Sequence, residues 1–300
     1  MNFNEFCIEV KNRLDERLAN RKISTDIEKF NAVNKNYTGL KITYADSNLS
    51  PVFNLTNLYT QVNNDNDLES LINYLYEEIE NYESLANRNN FNDTELDFDE
   101  SNLFFKMFSI ENNFELLEKI PYRIITDGLA ISYGMECGPS SDGIFTYTIT
   151  NSLMKEFNLT EEELYQKAIE SMPKLYPHLI EDLSFIFEDG GILTLTNNEF
   201  IFGASSILYP GVAEEISERF GNSNFFIIPS SLHELLIMAD NGQVKTSEIK
   251  NIIKSVNSEL PSKDFLSNTL YYYDCITKKI VPADSIYPDD MVVPSNNKLN

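Results

Sequence analysis

Residues Phe225 to Leu236 read Phe-Phe-Ile-Ile-Pro-Ser-Ser-Leu-His-Glu-Leu-Leu. The apolar run is typical of a buried β-strand, and Pro229 ends it because proline has no backbone N–H to donate to a neighbouring strand. Two hydroxyls, an imidazole and a carboxylate follow at once. Because the chain has only two histidines, this strand end is the first candidate for a functional site.

Two interpretations of this strand end stay open. In the structural one, Ser230 or Ser231 caps a helix, and Glu234, three residues after Ser231, completes a capping box. In the functional one, the hydroxyl pair lies beside a second hydroxyl pair and an aspartate from other segments, and together they form a small polar pocket. The candidate polar site of this second interpretation consists of Ser230, Ser231, His233, Glu234, Asp127, Ser205 and Ser206.

Short extended segments separated by turn residues make up much of the remaining chain. The predicted strands cover 23–33, 40–44, 51–55, 103–108, 124–133, 145–150, 192–196, 200–202, 225–228 and 270–273. The predicted helices cover 2–19, 67–84, 112–119, 160–172, 210–220 and 246–256. Because most strands adjoin through turns instead of alternating with helices, the sequence predicts an α+β fold with a mixed, largely antiparallel sheet and flanking helices.

Three local patterns carry more specific expectations. Thr160 and Glu163 form a capping box, which predicts a helix start. Asn197–Asn198, between two apolar segments, predicts a β-hairpin. Tyr271–Tyr273 lie in a predicted strand, in which successive side chains point to opposite faces. We therefore expect at least one of these tyrosines outside the core, where it could contact a protein partner.

An acidic stretch separates two parts of the chain. Residues 65–100 contain twelve acidic residues and one basic residue, and the asparagine run that follows residue 86 is typical of a linker or exposed loop. The predicted segments are an N-terminal helix with a small sheet and a second helix (1–86), an acidic linker or loop (87–101), a main α+β domain (102–285) and a C-terminal tail (286–300). The carboxylates that we assign to partner binding are those of Asp93, Glu95, Asp97, Asp99 and Glu100.

The net charge is −24 at pH 7. Such a charge repels nucleic-acid phosphates and anionic membranes, so we expect a protein partner with a basic surface and no direct nucleic-acid or membrane binding. No window approaches the roughly 18 continuous apolar residues of a membrane span. The three cysteines lie far apart, which indicates reduced thiols in the cytoplasm instead of a disulfide framework.

Familiar chemical motifs are missing from the sequence. It contains no glycine-rich phosphate loop, the two histidines are far apart, and no cysteine pair is closely spaced, so we predict neither a cofactor nor a metal site. Cys137 could act as a thiolate nucleophile with His233 as its base. That arrangement would need two distant segments to meet, and nothing in the sequence requires it.

Several short sequence segments along the chain resemble segments of one protein family. They are the helix Asn2–Leu18, Ile120-Pro121 with Asp127-Gly128-Leu129-Ala130, Phe202-Gly203-Ala204-Ser205-Ser206-Ile207-Leu208-Tyr209-Pro210, Ile228-Pro229-Ser230-Ser231-Leu232-His233-Glu234, and Leu266-Ser267 with Leu270-Tyr271. Together they resemble the bacterial family catalogued as domain of unknown function 5688. Gly128 departs from the family, which more often carries an apolar residue after the aspartate. The resemblance implies a bacterial origin and a coherent fold, but no chemistry, because the family has no established activity.

These observations favour a cytoplasmic, non-enzymatic protein that binds another protein through its negative charge. One version is an antagonist that occupies the channel of a basic nucleic-acid-binding protein by presenting carboxylates in place of phosphates. The alternative is a small-ligand binder or enzyme that uses His233 as an acid or base. A third interpretation is a regulatory or housekeeping subunit whose acidity serves solubility.

Overall fold

The computed structural model of the protein describes residues 1–45, 50–88, 98–140, 143–183, 191–242 and 245–288. The chain divides into two compact units. The first consists of Met1–Asp99 and Glu136–Tyr147, and the second of Glu100–Met135 and Thr148–Asn300. Helices and antiparallel strands occur together, so the predicted α+β class is confirmed.

The first unit opens with a helix and a hairpin. Its elements before residue 99 are α1 (Phe3–Leu18), β1 (Ile23–Ala32), β2 (Lys35–Tyr44), β3 (Val52–Asn54), α2 (Leu55–Tyr59) and α3 (Asp65–Arg88). The strands form an antiparallel sheet in the order β1-β2-β3. The turn of the hairpin between β1 and β2 lies at Val33 and Asn34. Asn34 has a φ of 62°, a conformation that asparagine tolerates better than most residues.

One face of this sheet is covered by the apolar stripes of α1 and α3. The shared core contains Val10 and Leu14 of α1, Ile42 of β2, and Ile72 and Ile79 of α3. The helical stripes repeat every three or four residues, and β2 alternates between buried and less buried positions. Both patterns agree with the periodicity predicted from the sequence.

The second unit contains most of the strands. The remaining elements in chain order are β4 (Leu103–Ser109), α4 (Phe114–Leu117), β5 (Tyr122–Thr126), β6 (Leu129–Ser140), β7 (Gly143–Thr148), α5 (Asn151–Glu156), α6 (Glu161–Leu175), β8 (His178–Asp182), β9 (Ile192–Asn197), α7 (Val212–Arg219), β10 (Phe225–Pro229), β11 (Leu235–Ala239), α8 (Thr246–Asn257), β12 (Tyr271–Asp274) and β13 (Lys279–Pro282). One antiparallel sheet has the order β13-β12-β10-β11-β9-β8, and another has the order β4-β6-β5, with β7 also paired to β6. The end of β6 and nearly all of β7 belong to the first unit.

Central strands of the second unit are buried on both faces. Every residue of β4 except Lys106 is buried, and Tyr271–Tyr273 of β12 are all buried as well. The expectation that one of these tyrosines lies outside the core is therefore wrong. Tyr271 faces the β4-β6-β5 sheet, where its hydroxyl donates to the Asp127 carbonyl, and Tyr272 packs against Ile249 of α8.

Two predictions beside β9 and β10 are also wrong. Residues 200–202 form no strand, because the Asn197 side chain binds the backbone N–H of Glu199 and of Ile201 and so closes a tight turn. Residues 230–234 begin no helix. The chain instead reverses into β11, and the carbonyl of Glu234 accepts the N–H of Ser231. The capping-box interpretation of this strand end therefore fails.

Other elements differ from the prediction in their length or were missed. β6 continues to Ser140, seven residues beyond the end of the predicted strand 124–133. α6 begins at the predicted capping box and ends at Leu175, with Pro173 inside its last turn. Short β8, β11, β13 and α5 were not predicted, because four to six residues carry too little periodicity to reveal an element.

The predicted domain segments stay a prediction. The two units meet in the chain between Asp99 and Glu100, within the predicted acidic segment, and residues 89–97 and 289–300 lie outside the described residues. The assignment of Glu136–Tyr147 to the first unit has no counterpart in the sequence analysis. Within the described part of the chain, no helix is both long enough and apolar enough to cross a lipid bilayer.

Candidate functional site

The loop between β10 and β11 carries four of the predicted site residues. Its own polar groups hold it closed: the N–H of Ser231 donates to the Glu234 carbonyl at 3.1 Å, and the N–H of His233 donates to Ser231 Oγ at 3.0 Å. Ser230 Oγ donates to Glu234 Oε1 at 2.9 Å. The two serines and the glutamate therefore stabilise the loop, and the His233 imidazole is left to contact other segments.

Three neighbouring segments fix the backbone of this loop. The N–H of Leu232 donates to the Asp264 carbonyl at 2.8 Å, and the Leu232 carbonyl accepts the N–H of Ala204 at 3.3 Å. The hydroxyl of Thr196 donates to the His233 carbonyl at 2.8 Å. The position of His233 is thus determined by three segments: β9, the 310 segment Gly203–Leu208 and the short 310 turn that ends at Asp264.

The His233 ring contacts Phe202 and Asp264. Its Nδ1 accepts the backbone N–H of Phe202 at 3.3 Å, so the neutral ring carries its hydrogen on Nε2. Nε2 lies 3.5 Å from Asp264 Oδ1, and the imidazole side chain is 39% exposed. One ring face stacks on the Phe202 ring, with centroids 5.9 Å apart and planes at 16°.

The segment beside His233 has an unusual backbone. Phe200 and Phe202 adopt φ values of 57° and 52°, and a side-chain-bearing residue in this left-handed region costs about 1–2 kcal/mol. Gly203 follows in a space without room for a side chain, since a Cβ there would lie 2.3 Å from Thr196 Oγ1 and 2.4 Å from the His233 carbonyl oxygen. Phe202 is held by stacking on Phe104 as well as on His233, whereas Phe200 is 62% exposed.

The other predicted site residues have different surroundings. Ser205 and Ser206 lie in the segment next to the loop but are fully buried, and Ser205 Oγ accepts the N–H of Met107 on the outer edge of β4. Asp127 is exposed in the turn between β5 and β6, where its carbonyl accepts the Tyr271 hydroxyl. The segments that carry the two hydroxyl pairs are joined by the hydrogen bond between Ala204 and Leu232, but Ser205 Oγ is bonded inside the core, and the predicted polar pocket stays a prediction.

The protonation pattern of His233 limits its chemistry. A general base needs an unprotonated nitrogen that can reach the substrate, and here Nδ1 already accepts the N–H of Phe202. Nε2 carries the hydrogen and is half-exposed beside Asp264. In this arrangement the neutral ring can donate a hydrogen bond to a ligand, while proton abstraction would require loss of the contact with Phe202.

Sequence reasoning missed two important residues of this site. Asp264 occurs in a polar loop without any repeating pattern, so nothing in the sequence indicated that it would reach His233. Phe202 appeared to be an ordinary strand residue. A possible signal was the Phe-Gly pair at 202–203, because glycine often marks a close backbone approach.

Cys137 lies in the first unit and His233 in the second. Its thiol is buried, and desolvation together with the charge of Glu136 raises the pKa of Cys137 to about 12. A thiol with such a pKa is a poor nucleophile near neutral pH. Among the residues that the structure describes, no group of three or more histidine, cysteine, aspartate or glutamate side chains is arranged to hold a metal ion.

A larger concave surface lies elsewhere on the second unit. We call it the α6 groove. It has a volume of about 740 Å³ and is formed by one side of α6 and by the 310 turn Glu100–Asn102. Its lining residues are Glu100, Ser101, Asn102, Glu162, Glu163, Gln166, Lys167, Glu170, Ser171, Lys174 and Leu175. Four glutamates and two lysines therefore make this groove acidic on balance.

Lys167 lies among the carboxylates of the α6 groove. Its ammonium group forms an ion pair with Glu100. This hydrogen bond, together with the charges of Glu163 and Glu170, raises the pKa of Lys167. The acidic surface therefore holds a cationic group of the chain itself.

The structure covers the predicted acidic partner-binding segment only in part. Asp93, Glu95 and Asp97 lie outside the described residues. Asp99 belongs to the first unit and Glu100 to the second. Of the two predicted carboxylates that the structure describes, Glu100 lines the α6 groove and Asp99 does not. The α6 glutamates were not predicted as site residues, although they belong to the charged side of a predicted helix.

The arginines whose side chains the structure describes are already paired with glutamates. In the first unit, Arg13 and Arg17 of α1 and Arg21 in the turn after it pair with glutamates of α3. In the second, Arg123 pairs with Glu161 and Glu162, and Arg219 pairs with Glu215. These five are all the arginines whose side chains the structure describes, so this part of the chain presents no free guanidinium group to a phosphate.

Comparison with known proteins identifies a family but no activity. No curated protein and no solved structure matches the chain. A family model described as a family of unknown function (DUF5688) matches residues 3–275. The match includes both units, the β10–β11 loop and the α6 groove. Because the match extends over most of the chain, the chain belongs to this family of unknown function, DUF5688.

Proposed function

We propose that this protein is an acidic binding module that docks on the basic surface of another protein through the α6 groove. The observation that carries the proposal is the groove itself, a concave surface of about 740 Å³ with four glutamates in its lining. Glu170 is exposed there. Glu163 completes the capping box of α6 with its side chain, so its carboxylate is held in place before any partner arrives.

The charge distribution supports this proposal. The net charge is −24, and the described arginines are each neutralised by a glutamate. A surplus of carboxylates then faces solvent, which accelerates encounter with a basic surface and repels nucleic acid. A partner lysine or arginine would compete with Lys167 for Glu100, Glu163 and Glu170.

A more specific version concerns the identity of the partner. Carboxylates in a groove can imitate the phosphates of a nucleic acid, so a basic nucleic-acid-binding protein is the partner class that we favour. The protein would then act as an antagonist inside a bacterial cytoplasm. Its three cysteines are free thiols, which supports a reducing compartment.

The alternative with His233 as an acid or base has less support. Nδ1 is occupied by the N–H of Phe202, and Nε2 lies beside Asp264. A housekeeping role in which acidity only aids solubility predicts that the position of the carboxylates has no effect on binding. The experiment below separates that role from docking through the groove.

The test compares two triple variants with the same change of net charge. The groove variant is Glu100→Gln, Glu162→Gln and Glu170→Gln; the control is Glu181→Gln, Glu218→Gln and Glu259→Gln, at exposed positions of the second unit outside the groove. Binding of a fluorescent ten-residue lysine peptide is measured by anisotropy at low and high salt. We expect the groove variant to bind roughly tenfold more weakly and the control to lose much less.

Salt provides a second criterion. At about 1 M salt the screening length falls to roughly 3 Å, so binding by the unmodified protein should nearly vanish. Equal losses in the two triple variants would show that only overall charge matters, which contradicts docking through the groove. Binding that is indifferent to salt would contradict the electrostatic basis itself.

A further inference from the structure

The second unit contains two pairs of a histidine with a carboxylate, and they differ in one respect. In the first pair, His178 Nε2 lies 3.0 Å from Glu215 Oε2. The other oxygen of Glu215 accepts a hydrogen bond from the Arg219 guanidinium at 2.8 Å. An imidazole and a guanidinium thus share one carboxylate, one on each oxygen.

The second pair lacks the guanidinium. His233 Nε2 lies 3.5 Å from Asp264 Oδ1, and the Asp264 side chain is 24% exposed. Across the described ranges, His233 is the one ion-pair partner of Asp264. The second carboxylate oxygen can therefore accept hydrogen bonds from a group outside the chain.

The imidazole of His233 lies next to this carboxylate, and two phenylalanines belong to the segment that contacts the imidazole. The His233 ring is 39% exposed and rests on Phe202. Phe200, two residues earlier, exposes 62% of its surface although its backbone is in the left-handed region. Strained and exposed side chains of this kind cluster at binding sites, because neither burial nor backbone preference favours them.

A carboxylate beside an exposed ring favours a guanidinium group as the ligand. A guanidinium group is planar, stacks on aromatic and imidazole rings, and donates two parallel hydrogen bonds to a carboxylate. An ammonium group has no flat face and forms single contacts. Glu199 is exposed in the adjacent turn and adds negative charge, whereas the ammonium group of Lys106, 5.5 Å from the centroid of the Phe202 ring, adds a positive one. An anionic ligand is disfavoured by the net charge of the protein.

We propose that Asp264, His233 and Phe200 form an arginine-binding site for a guanidinium group of a partner protein. The second oxygen of Asp264 accepts a hydrogen bond from the guanidinium group, the His233 ring provides a stacking surface, and the exposed Phe200 ring belongs to the segment that contacts His233. Bound arginine would give the second pair the composition that Glu215, His178 and Arg219 already have. This site is separate from the α6 groove and does not depend on it.

The two histidines allow a direct test by NMR. Protein labelled on histidine gives two imidazole signals, and acetyl-arginine amide is titrated in, with acetyl-lysine amide as the matched ligand. We expect the His233 signal to shift with the arginine ligand and to move several-fold less with the lysine ligand. The His178 signal is the internal control, because Arg219 already occupies its carboxylate.

Two single variants locate the contact. Asp264→Asn should weaken the arginine response by about tenfold, because it removes a charged hydrogen-bond acceptor, whereas Glu259→Gln, with the same change of charge, should not. If Asp264→Asn disturbs folding, as judged by circular dichroism, Phe200→Ala supplies an independent variant, since its exposed ring contributes little to the core. We expect it to weaken the response several-fold.

Several outcomes would overturn the proposal. Equal responses to both ligands, equal shifts of both histidines, or an unchanged response in Asp264→Asn would each show that no guanidinium site exists. The groove triple variant should keep the full His233 response. If the arginine-binding proposal fails, docking through the α6 groove is therefore unaffected. If docking through the groove fails, the arginine-binding proposal is likewise unaffected.

Discussion

The sheet of the first unit and the central strands of the second are buried in different ways. In β2, the buried residues Leu40, Ile42 and Tyr44 alternate with less buried ones, because α1 and α3 cover one face. In β4, buried residues follow one another along both faces. In a strand covered on one face, the alternation of apolar and polar residues shows which side chains face the core. A strand covered on both faces lacks this alternation.

This difference explains why predictions succeeded in one region and failed in another. The rule of alternation placed the second half of β2, residues 40–44, correctly, yet it misplaced Tyr271–Tyr273, which are all buried. The error was to assume that an alternating strand must expose one side. In the second unit the two antiparallel sheets and α8 supply enough apolar surface to cover both.

The sharpest test of the comparison uses adjacent core positions. Phe104→Ala and Phe105→Ala alter opposite faces of β4, where the side chains are 2% and 0% exposed. We expect each to lower the free energy of unfolding by about 3–5 kcal/mol, because each leaves a large cavity. Chemical denaturation followed by circular dichroism measures both.

The matched positions in the first unit are adjacent residues of β2. Ile42→Ala, at a fully buried residue, should cost about 2–5 kcal/mol, while Thr43→Ala should stay within about 1 kcal/mol. If the two β4 variants differed as strongly as the two β2 variants, burial on both faces of β4 would be refuted.

Most of the fold could be predicted from the sequence, but only part of the candidate site could. The helices α1 and α3 and the capping box at Thr160 follow from local rules, since periodicity and capping involve residues three or four positions apart. The contact between His233 and Asp264 joins residues 31 positions apart in the sequence numbering, and no local rule encodes such a distance. The left-handed backbone of Phe202 is likewise imposed by its packing against Phe104 and His233.

The segment 197–203 shows how tertiary contacts override a local signal. The Asn197–Asn198 pair correctly indicated a turn. A partner strand did not follow, because the Asn197 side chain binds backbone groups that a strand would need. The structure gives the reason for the failed prediction, but the sequence contained no sign that Asn197 would be buried.

Substitutions at two glycines also compare the packing of the two units. We expect them to change the free energy of unfolding less than the β4 variants do. A Cβ at Gly203 in the second unit would collide with the His233 carbonyl oxygen at 2.4 Å, and at Gly39 in the first unit with the side-chain carbon Val52 Cγ1 at 2.5 Å. The His233 carbonyl is held in place by the hydroxyl of Thr196 and cannot move away, but the end of the Val52 side chain can. We therefore expect Gly203→Ala to cost about 3 kcal/mol and Gly39→Ala about 1 kcal/mol.

Thermal unfolding of both variants, followed by circular dichroism, measures this difference. The ratio of the two costs is the decisive quantity, since the absolute values depend on how far neighbouring atoms relax. A Gly39→Ala variant that is as unstable as Gly203→Ala would mean that the packing of the first unit is as rigid as that of the second.

The smallest expected effects concern the ion pairs. In the second unit, Arg123 binds both oxygens of Glu161, and the hydroxyl of the buried Tyr133 also donates to that carboxylate. Desolvation and the nearby Glu161 charge raise the pKa of Tyr133, so it stays a donor throughout the physiological range. In the first unit, Arg17 pairs with a Glu69 side chain that is 50% exposed.

Glu161→Gln should lower the free energy of unfolding by about 2 kcal/mol, because it weakens two charged hydrogen bonds and the acceptor of a buried hydroxyl. Glu69→Gln should change it by less than about 0.5 kcal/mol, since exposed pairs are screened by water and salt. Urea unfolding at low and high salt distinguishes the two, and only the small effect of Glu69→Gln should disappear in salt. Equal costs would show that the partly buried network of the second unit is no better shielded than the surface pairs of the first.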